Sequence, residues 1–285
     1  MSRRTLVGIA LLFAALNLSA ASPASLVDDP AARARLHGIV KGILAAWDRA
    51  DVVCLGEDHG RKNDSDLRLA LIEDPGFARR VSVIIVEFAN SEHQDILDRF
   101  IVQGEEMTRA QLRAVWHDTA SGSYVWESAI YEAFLRAVRK MNLALPAKQR
   151  VRLLGGDSSQ SNRGRFIREA VSREILSKGL KGLALYGAGH CECRGGGFPG
   201  ELEDQYPGKI WSAFSFYDVV EGRRVFHLGD EPKLIPITGT ENAKLPAGKM
   251  FFLGRSDGSA TLKDITNAIV YYGNVGDVVV PAGER

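Results

Sequence analysis

The sequence has 285 residues, of which 45% are hydrophobic and 25% are charged, a composition typical of a globular protein with a large core. Its 36 basic and 35 acidic side chains leave a formal net charge of +1. Because the charge is balanced and no long basic run occurs, the composition argues against nucleic acid or an anionic membrane as the main partner.

The amino terminus has the features of a secretory signal peptide. Two arginines precede the apolar run Leu6–Leu18, and small residues follow it. The run is too short for a stable membrane span, which needs about 20 residues. We expect cleavage after Ala21, or alternatively after Ala24, to leave residues 22–285 as one mature domain, periplasmic or secreted. The paired arginines leave both the general and the twin-arginine export routes open.

The three cysteines do not indicate a disulfide framework, because their number is odd. Cys54 lies in an apolar run, and we predict that it is a small buried hydrophobic residue. Cys191 and Cys193 follow His190 directly, which leaves a soft-metal site as an alternative. The single residue between them does not match the usual zinc spacing of about two to four residues.

Helical and strand patterns alternate along the chain. Apolar residues at helical spacing predict helices at Pro30–Trp47, Asp64–Glu73, Ser91–Val102, Thr108–His117, Val125–Asn142 and Asn162–Ser177. Short apolar runs predict strands at Asp51–Gly56, Val81–Val86, Val151–Gly155, Leu180–Tyr186 and Ile210–Phe216, with weaker ones at Arg224–His227 and Val278–Val280. The alternation predicts an α/β fold, with a mostly parallel central sheet and helices on both faces.

Polar residues follow four of the predicted strands at the point where each strand ends. Glu57 and His59 follow the first, Glu87 the second, Asp157 the third and His190 the fourth. Ligands of open parallel sheets bind at the carboxyl ends of the strands. If the four strands are neighbours, two histidines and three carboxylates converge there, which suits a divalent metal or acid–base catalysis.

Each of the central side chains also has a structural interpretation. Glu87 directly follows an apolar run, and its burial would cost several kcal/mol without a partner, so a salt bridge to an arginine is the alternative to a functional role. His59 lies in a loop where Gly60 allows a tight turn. His190 follows small residues that give a ligand close access. Either ring could instead be a structural histidine with satisfied hydrogen bonds.

Four further residues are secondary candidates. Glu57 could orient His59. Asp157 could be catalytic or could cap the following helix. Arg194 could bind an anionic substrate group, although a loop arginine is more often simply solvated. Tyr186 is a candidate for substrate contact and, like His190, for an axial ligand of haem.

The histidine motifs resemble those of the superfamily that joins Tiki/TraB-like proteins, ChaN-like haem-binding proteins and erythromycin esterases. The two motifs are Gly56-x-x-His59 and Gly187-x-x-His190, with Glu87 at a strand end between them. The segment that opens Leu55-Gly-Glu-x-His resembles the esterase and ChaN motif. Other matching segments are Gln94-Asp-x-Leu-Asp98 with Gly104, Trp126-Glu127, Phe134-Leu-Arg-x-Val-Arg139 with Asn142, and Leu154-Gly-Gly-Asp157. The resemblance covers Val52–His190, about half of the chain.

The resemblance implies that His59, Glu87 and His190 line the site, with Glu57 close by. One hypothesis is a hydrolase of an ester or amide in a small-molecule or peptide substrate, in which His59 is the general base or binds a divalent metal together with Glu87 and His190. The alternative is a haem or iron carrier without turnover. A third interpretation is an ion-pair network without activity. Two histidines and two carboxylates exceed what haem ligation needs, so the sequence favours the hydrolase.

The chain also departs from these families. It lacks the lipoprotein cysteine that is often associated with ChaN-like proteins, and it is shorter than the macrolide esterases. Its second histidine motif is of the Tiki type, which differs from the esterase pattern at that place. The resemblance therefore predicts the location of the site better than its chemistry.

Overall fold

Seven strands form one sheet in this computed structural model, which describes residues 28–120, 123–159, 163–194, 196–216, 219–247, 260–274, 276 and 278–281. The strands are β1 Val52–Glu57, β2 Val83–Asn90, β3 Arg152–Asp157, β4 Gly182–Gly187, β5 Ile210–Ser215, β6 Lys233–Pro236 and β7 Ala268–Tyr271. Their order is β3-β2-β4-β1-β5-β7-β6. All neighbours pair in parallel except β6 and β7, which are antiparallel. The predicted mostly parallel α/β sheet is confirmed.

Helices cover both faces of this sheet. They are α1 Pro30–Arg35, α2 His37–Ala46, α3 Lys62–Glu73, α4 Gln94–Leu97, α5 Arg109–His117, α6 Ser123–Trp126, α7 Ala129–Leu143, α8 Arg163–Glu174, α9 Phe198–Leu202, α10 Val219–Phe226 and α11 Leu262–Ile265. A π-helical segment, Asp98–Gln103, continues α4, and 3₁₀ turns lie at Ser91–His93, Ala147–Gln149, Leu176–Lys178, Ala188–Cys191 and Glu241–Lys244. Thr108 caps α5 with a capping box, which confirms the predicted helix start.

The central strands are buried because each face of the sheet packs against a separate core. All residues of β1 and β2 are buried. Along β1, Val53 belongs to the core that α2, α3 and α7 cover, whereas Val52 and Cys54 belong to the core under α8 and α9. This alternation explains why the predicted strands are apolar at every position rather than at every second one.

Two predicted helices are divided in the structure. The helix predicted at Pro30–Trp47 separates into α1 and α2 at Leu36. The helix predicted at Val125–Asn142 separates into α6 and α7 at Ser128, whose backbone is extended with ψ of 137°. The Ser128 hydroxyl donates to the carbonyl of Val280 at 2.9 Å. A partner so distant in sequence leaves no local signal for the break.

Three strand predictions differ from the structure. The strand predicted at Arg224–His227 is wrong, because Arg224, Val225 and Phe226 form the end of α10. Residues Val278–Val280 do not form a named strand, and Val279 makes an isolated bridge with Arg61. Strands β6 and β7 were not predicted. Four-residue apolar runs carry too little periodicity to distinguish a strand from a helical turn.

Cys54 is fully buried, as predicted, but it is not simply a hydrophobic residue, because it forms a disulfide with Cys191 at a Cα–Cα distance of 5.7 Å. Cys54 lies on β1, and Cys191 lies in the 3₁₀ turn that follows the neighbouring strand β4. The odd number of cysteines leaves Cys193 as the free thiol. The alternative of a soft-metal site at Cys191 and Cys193 is wrong, because one of its two sulfurs is in the disulfide.

The predicted signal peptide, residues 1–21, lies outside the described residues, which begin at Asp28. Its cleavage after Ala21 or Ala24 therefore stays a prediction. Within the described ranges, the helices lack the combined length and apolarity that a membrane span requires.

Candidate functional site

The polar residues predicted at the strand ends do lie at one edge of the sheet. Strands β3, β2, β4 and β1 are consecutive in the sheet and parallel. Glu57 ends β1, Glu87 lies in the last half of β2, and Asp157 ends β3. His190 follows β4 in a 3₁₀ turn. The sequence analysis expected these side chains to converge if their four strands were neighbours, and the four strands are neighbours in the sheet.

The ring of His59 is held by a carboxylate and an indole. Its Nδ1 lies 2.8 Å from Oε1 of Glu57, and its ring meets that of Trp126 edge to face at a centroid distance of 4.6 Å. Because a carboxylate accepts, Nδ1 donates its proton and Nε2 of the neutral ring presents a lone pair. The His59 side chain is 34% exposed, whereas that of Glu57 is 6% exposed. The site therefore presents an oriented, accessible imidazole above a buried carboxylate.

Glu57 is fixed by further donors. Arg68 of α3 donates from Nη1 to Oε2, and the Tyr131 hydroxyl of α7 donates to Oε1 at 3.0 Å. The same hydroxyl accepts from the Gly60 amide at 3.0 Å, so Tyr131 ties the His59 loop to Glu57. Burial alone would raise the pKa of Glu57, but the charge of Arg68 and the hydrogen bond from His59 hold it below the ordinary value.

The pKa of His59 is shifted upward. Burial disfavours the imidazolium and lowers this pKa, but the hydrogen bond to Glu57 and the Glu57 charge outweigh burial. The charge of Glu87 adds to the same effect. His59 therefore needs a higher pH than an ordinary histidine to become the neutral ring that can act as a base or a metal ligand.

Glu87 and His190 form a second carboxylate–histidine pair. The Glu87 side chain is 3% exposed and accepts from the Gly187 amide at 2.6 Å. Its other oxygen lies 3.4 Å from Nε2 of His190, whose side chain is 32% exposed. As in the first pair, a buried carboxylate lies beneath a partly exposed ring.

The two pairs meet at Gly187. A Cβ atom at this position would lie 3.1 Å from Cε1 of His59 and 3.4 Å from Oε2 of Glu87. The absence of a side chain is therefore what allows the His59 ring to approach the end of β4. His59, Glu87 and His190, which the sequence predicts to line one site, are brought together by the structure.

The geometry does not provide a preformed metal centre. Across the described ranges, no three or more His, Cys, Asp or Glu side chains are grouped so that they could hold a metal ion. The predicted ligands His59, Glu87 and His190 do not form such a group. Nδ1 of His59 is engaged by Glu57, and Oε2 of Glu87 is engaged by the backbone of β4.

The predicted contact of Tyr186 with substrate or haem stays a prediction, and the ring lies beside that of His190 with centroids 6.1 Å apart. Tyr186 is fully buried, and its hydroxyl donates to the Gly156 carbonyl at 3.0 Å. The ring belongs to the core beneath α8 and α9, away from solvent. The aromatic ring therefore contributes to the packing of that core.

Asp157 and Arg194 have structural partners. Asp157 is 1% exposed, and its Oδ1 accepts from the amide of the next residue, Ser158, at 2.8 Å, a contact that does not reach α8. Arg194 is 77% exposed and pairs with Asp264 at 3.0 Å. The catalytic role of Asp157 and the anion-binding role of Arg194 stay predictions.

The sequence analysis did not identify Arg68, Trp126 or Tyr131 as site residues. Trp126 had a signal in the Trp126-Glu127 segment that matches the related families. Arg68 offers a weaker one, because a charged residue in a helix with many apolar positions needs a partner if it is buried. Tyr131 lies 74 residues from its partner Glu57, and the local sequence does not indicate that contact.

A buried polar pocket lies behind Glu57. Asp64 accepts from the Tyr272 hydroxyl at 2.5 Å and from the Asp58 amide at 3.2 Å. Burial, reinforced by the charge of Glu57, raises the pKa of Asp64 to about 7. A cavity of about 10 Å³ adjoins Asp64, Glu57 and Arg68, and it has room for about one water molecule. Nε and Nη2 of Arg68, which have no hydrogen-bond partner among the described residues, could bind that water.

Comparison with known proteins supports one part of the predicted resemblance. Residues 43–152 match the family model described as "Haem-binding uptake, Tiki superfamily, ChaN". No curated protein matches the chain. The resemblance to erythromycin esterases stays a prediction.

Three solved structures are similar to this chain. A Bacillus cereus protein is 10% identical with a TM-score of 0.52, and the match covers 81% of this chain and 90% of that one, which shows a shared fold. ChaN of Campylobacter jejuni, described with cofacial haem binding, is 17% identical with a TM-score of 0.41, covering 64% and 86%. RRSP, a MARTX toxin effector domain of Vibrio vulnificus, is 16% identical with a TM-score of 0.37, covering 57% and 33%. The family-model match over residues 43–152 confirms the predicted resemblance to the Tiki superfamily and ChaN.

Proposed function

We propose that this protein binds haem at the strand-end site, with Nε2 of His59 as an axial ligand of the iron. The observation that carries the proposal is the 2.8 Å contact between Nδ1 of His59 and Oε1 of Glu57. A carboxylate on the second ring nitrogen fixes the tautomer and the ring orientation and makes the imidazole a stronger donor to iron. In the neutral tautomer that this contact selects, the ligating nitrogen is the free one.

The extent of the family match supports His59 over His190 as the ligand. The matched segment, residues 43–152, contains His59, Glu57 and Arg68, and it ends before His190. The property in the family description, haem binding, is therefore associated with the part of the chain that builds the His59 pair.

Exposed apolar side chains beside His59 suit the face of a porphyrin. Val278 and Val279 are 43% and 55% exposed. They adjoin the His59 loop, because Val279 bridges to Arg61 and the Val280 amide donates to the Gly60 carbonyl at 2.9 Å. Apolar surface next to a polar anchoring group is typical of ligand sites.

Haem binding outside the cytoplasm agrees with the disulfide. A Cys54–Cys191 bond persists in an oxidising compartment and is uncommon in the cytosol. Together with the predicted signal peptide, this bond supports export to the periplasm or the cell exterior. There the protein would carry haem, and no turnover is required for that role.

Haem titration monitored at the Soret band tests this proposal. The mature protein, residues 22–285, should give a saturable Soret shift, which His59→Ala should abolish and His190→Ala should retain. His37→Ala is the matched control, because this exposed histidine begins α2 and lies near Asp74, which follows the end of α3. A wild-type protein without a Soret shift, or His59→Ala with unchanged affinity, would refute the proposal.

Hydrolysis of an ester or amide is a second candidate, and the second carboxylate–histidine pair favours it. A single axial ligand does not require His190 and Glu87, which lie 3.4 Å apart. In a hydrolase, His59 would take a proton from the attacking water while Glu57 orients the ring. His190, when protonated, would stabilise the oxyanion that forms on the carbonyl oxygen of a small-molecule or peptide substrate.

A screen of ester and amide substrates separates the two candidates. Hydrolysis predicts measurable turnover that disappears in both His59→Ala and His190→Ala. Haem carriage predicts that His190→Ala still binds haem and that no substrate is turned over. A substrate hydrolysed at the same rate by His59→Ala would contradict the hydrolase hypothesis.

A further inference from the structure

Three cysteines lie close together below the candidate site. Cys54 on β1 is bonded to Cys191, and both are fully buried. Cys193, two residues after Cys191, is a half-buried free thiol. Cys193 is only two residues from Cys191, which is bonded to Cys54, so the chain keeps the Cys193 thiol near β1.

Ser212 defines where the free thiol lies relative to Cys54. Sγ of Cys193 is 3.3 Å from Oγ of Ser212 and 3.6 Å from Oδ1 of Asn267. Ser212 on β5 is the register partner of Cys54 on β1. Register partners in parallel strands point to the same face, and the strands are about 4.8 Å apart. The Cys193 thiol is thus hydrogen-bonded to the immediate sheet neighbour of Cys54.

We propose that Cys193 is a second disulfide partner of Cys54, so that the bond passes between Cys191 and Cys193 by intramolecular exchange. The thiolate of Cys193 attacks Sγ of Cys54, and the new bond forms as the Cys54–Cys191 bond breaks. Cys191 leaves as a thiolate and takes up the proton that Cys193 lost. One disulfide and one thiol exist before and after the step, so no oxidant or reductant is consumed.

The exchange would act on the candidate site through His190. His190 directly precedes Cys191 in the turn Ala188–Cys191, and its Nε2 lies 3.4 Å from Oε1 of Glu87. The Cys54–Cys191 bond ties this turn to β1. When Cys54 is bonded to Cys193 instead, the turn loses that tie, directly next to His190.

Burial makes the exchange slow at neutral pH. The attacking species is a thiolate, and burial raises the pKa of the Cys193 thiol to about 11. The Cys54–Cys191 pairing therefore persists near neutral pH, and the exchange accelerates as the pH rises or as the segment around Cys193 opens to solvent.

The variant Cys191→Ser tests whether Cys54 and Cys193 can bond. After oxidation with glutathione disulfide, free thiols are counted in denaturant and the peptides are mapped. We expect no free thiol and a peptide that links Cys54 to Cys193. The matched control Cys193→Ser should keep the Cys54–Cys191 link, and the wild type should show one free thiol. Two free thiols, or two cysteines each capped by glutathione, in the folded variant would overturn the proposal.

Exchange in the wild-type protein gives a second measurement that does not depend on the folding of a variant. The protein is held at pH 9, quenched with acid, alkylated and digested with a protease that cuts after glutamate. Glu192 separates Cys191 from Cys193, so the two linkages give different peptides. We expect the Cys54–Cys193 peptide to grow with time. If circular dichroism shows that Cys191→Ser is unfolded, the time course in the wild type tests the proposal by itself. A wild-type protein that gives only the Cys54–Cys191 peptide at all times would overturn the proposal.

Discussion

Arg68 and Glu57 form an ion pair in which the two side chains are only 4% and 6% exposed. A buried carboxylate without a partner would take up a proton or cost several kcal/mol. Arg68 prevents this outcome, and the second oxygen of Glu57 remains available to His59. The helix α3 therefore controls the orientation of the site histidine through an intermediate carboxylate.

Removal of Arg68 should destabilise the fold. Arg68→Met leaves the Glu57 charge buried without its counterion, and we expect the free energy of unfolding to fall by about 3–5 kcal/mol. Urea denaturation measures this change. The double variant Arg68→Met/Glu57→Gln should recover part of the loss, because neither charge then remains. A loss below about 1 kcal/mol in the single variant would show that Arg68 is not needed to stabilise the buried Glu57 charge.

Asp64 should make stability depend on pH. Its folded-state pKa of about 7 lies above the ordinary value of 3.8, so the folded state binds the extra proton between these values. The stabilising contribution is therefore complete below about pH 3.8 and is lost as the pH rises through about 7. Between pH 5.5 and 8 this single group should lower the free energy of unfolding by about 2 kcal/mol.

The variant Asp64→Asn isolates that contribution. An amide mimics the protonated acid, because it can donate to the Tyr272 hydroxyl and accept from the Asp58 amide. We expect the wild type to lose about 2 kcal/mol more than Asp64→Asn between pH 5.5 and 8 in urea denaturation. Identical pH profiles for the two proteins would contradict a raised pKa at Asp64.

Gly187→Ala should weaken ligand binding more than it weakens the fold. The new Cβ would lie 3.1 Å from Cε1 of His59, so the ring must shift by a few tenths of an ångström. We expect a haem affinity lower by about tenfold, which corresponds to about 1.4 kcal/mol. Gly38→Ala is the matched control, because a Cβ there meets nothing within 4 Å. Equal haem affinities for the two variants would mean that the His59 ring can shift at the end of β4 without loss of binding.

Tyr131→Phe should loosen the His59 loop. The lost hydroxyl accepts from the Gly60 amide and donates to Glu57, each at 3.0 Å. We expect a cost of about 1–3 kcal/mol in urea denaturation, together with weaker haem binding. Tyr124→Phe is the control, because Tyr124 is 73% exposed. A stability loss of about 1–3 kcal/mol with unchanged haem affinity would mean that Tyr131 stabilises the core but not the haem site.

The sheet and the location of the site could be predicted from the sequence, because both depend on local patterns. Apolar runs such as Val83–Val86 are strands buried on both faces, and the polar residues after them must lie at their carboxyl ends. The turn from β4 to His190 and the loop from β1 to His59 are short, so both rings must lie close to the carboxyl ends of their strands.

The partners within the site could not be predicted, because they come from elements distant in sequence. The Tyr131–Glu57 contact joins residues 74 apart, and the Cys54–Cys191 bond joins residues 137 apart. The odd number of cysteines excluded a framework that uses every cysteine, but it still allowed a single disulfide. The burial of Tyr186 could not be predicted either, because an apolar run does not show which face of the sheet a side chain takes, and this face is the core.

Chemical rescue of a His59→Gly variant shows whether His59 supplies the ligand to haem iron. Haem would be titrated into the variant with and without imidazole, and the Soret band compared with that of the wild type. We expect that His59→Gly alone shows no saturable Soret shift and that added imidazole restores the wild-type band. A variant that binds haem as tightly as the wild type without imidazole would mean that His59 is not the ligand.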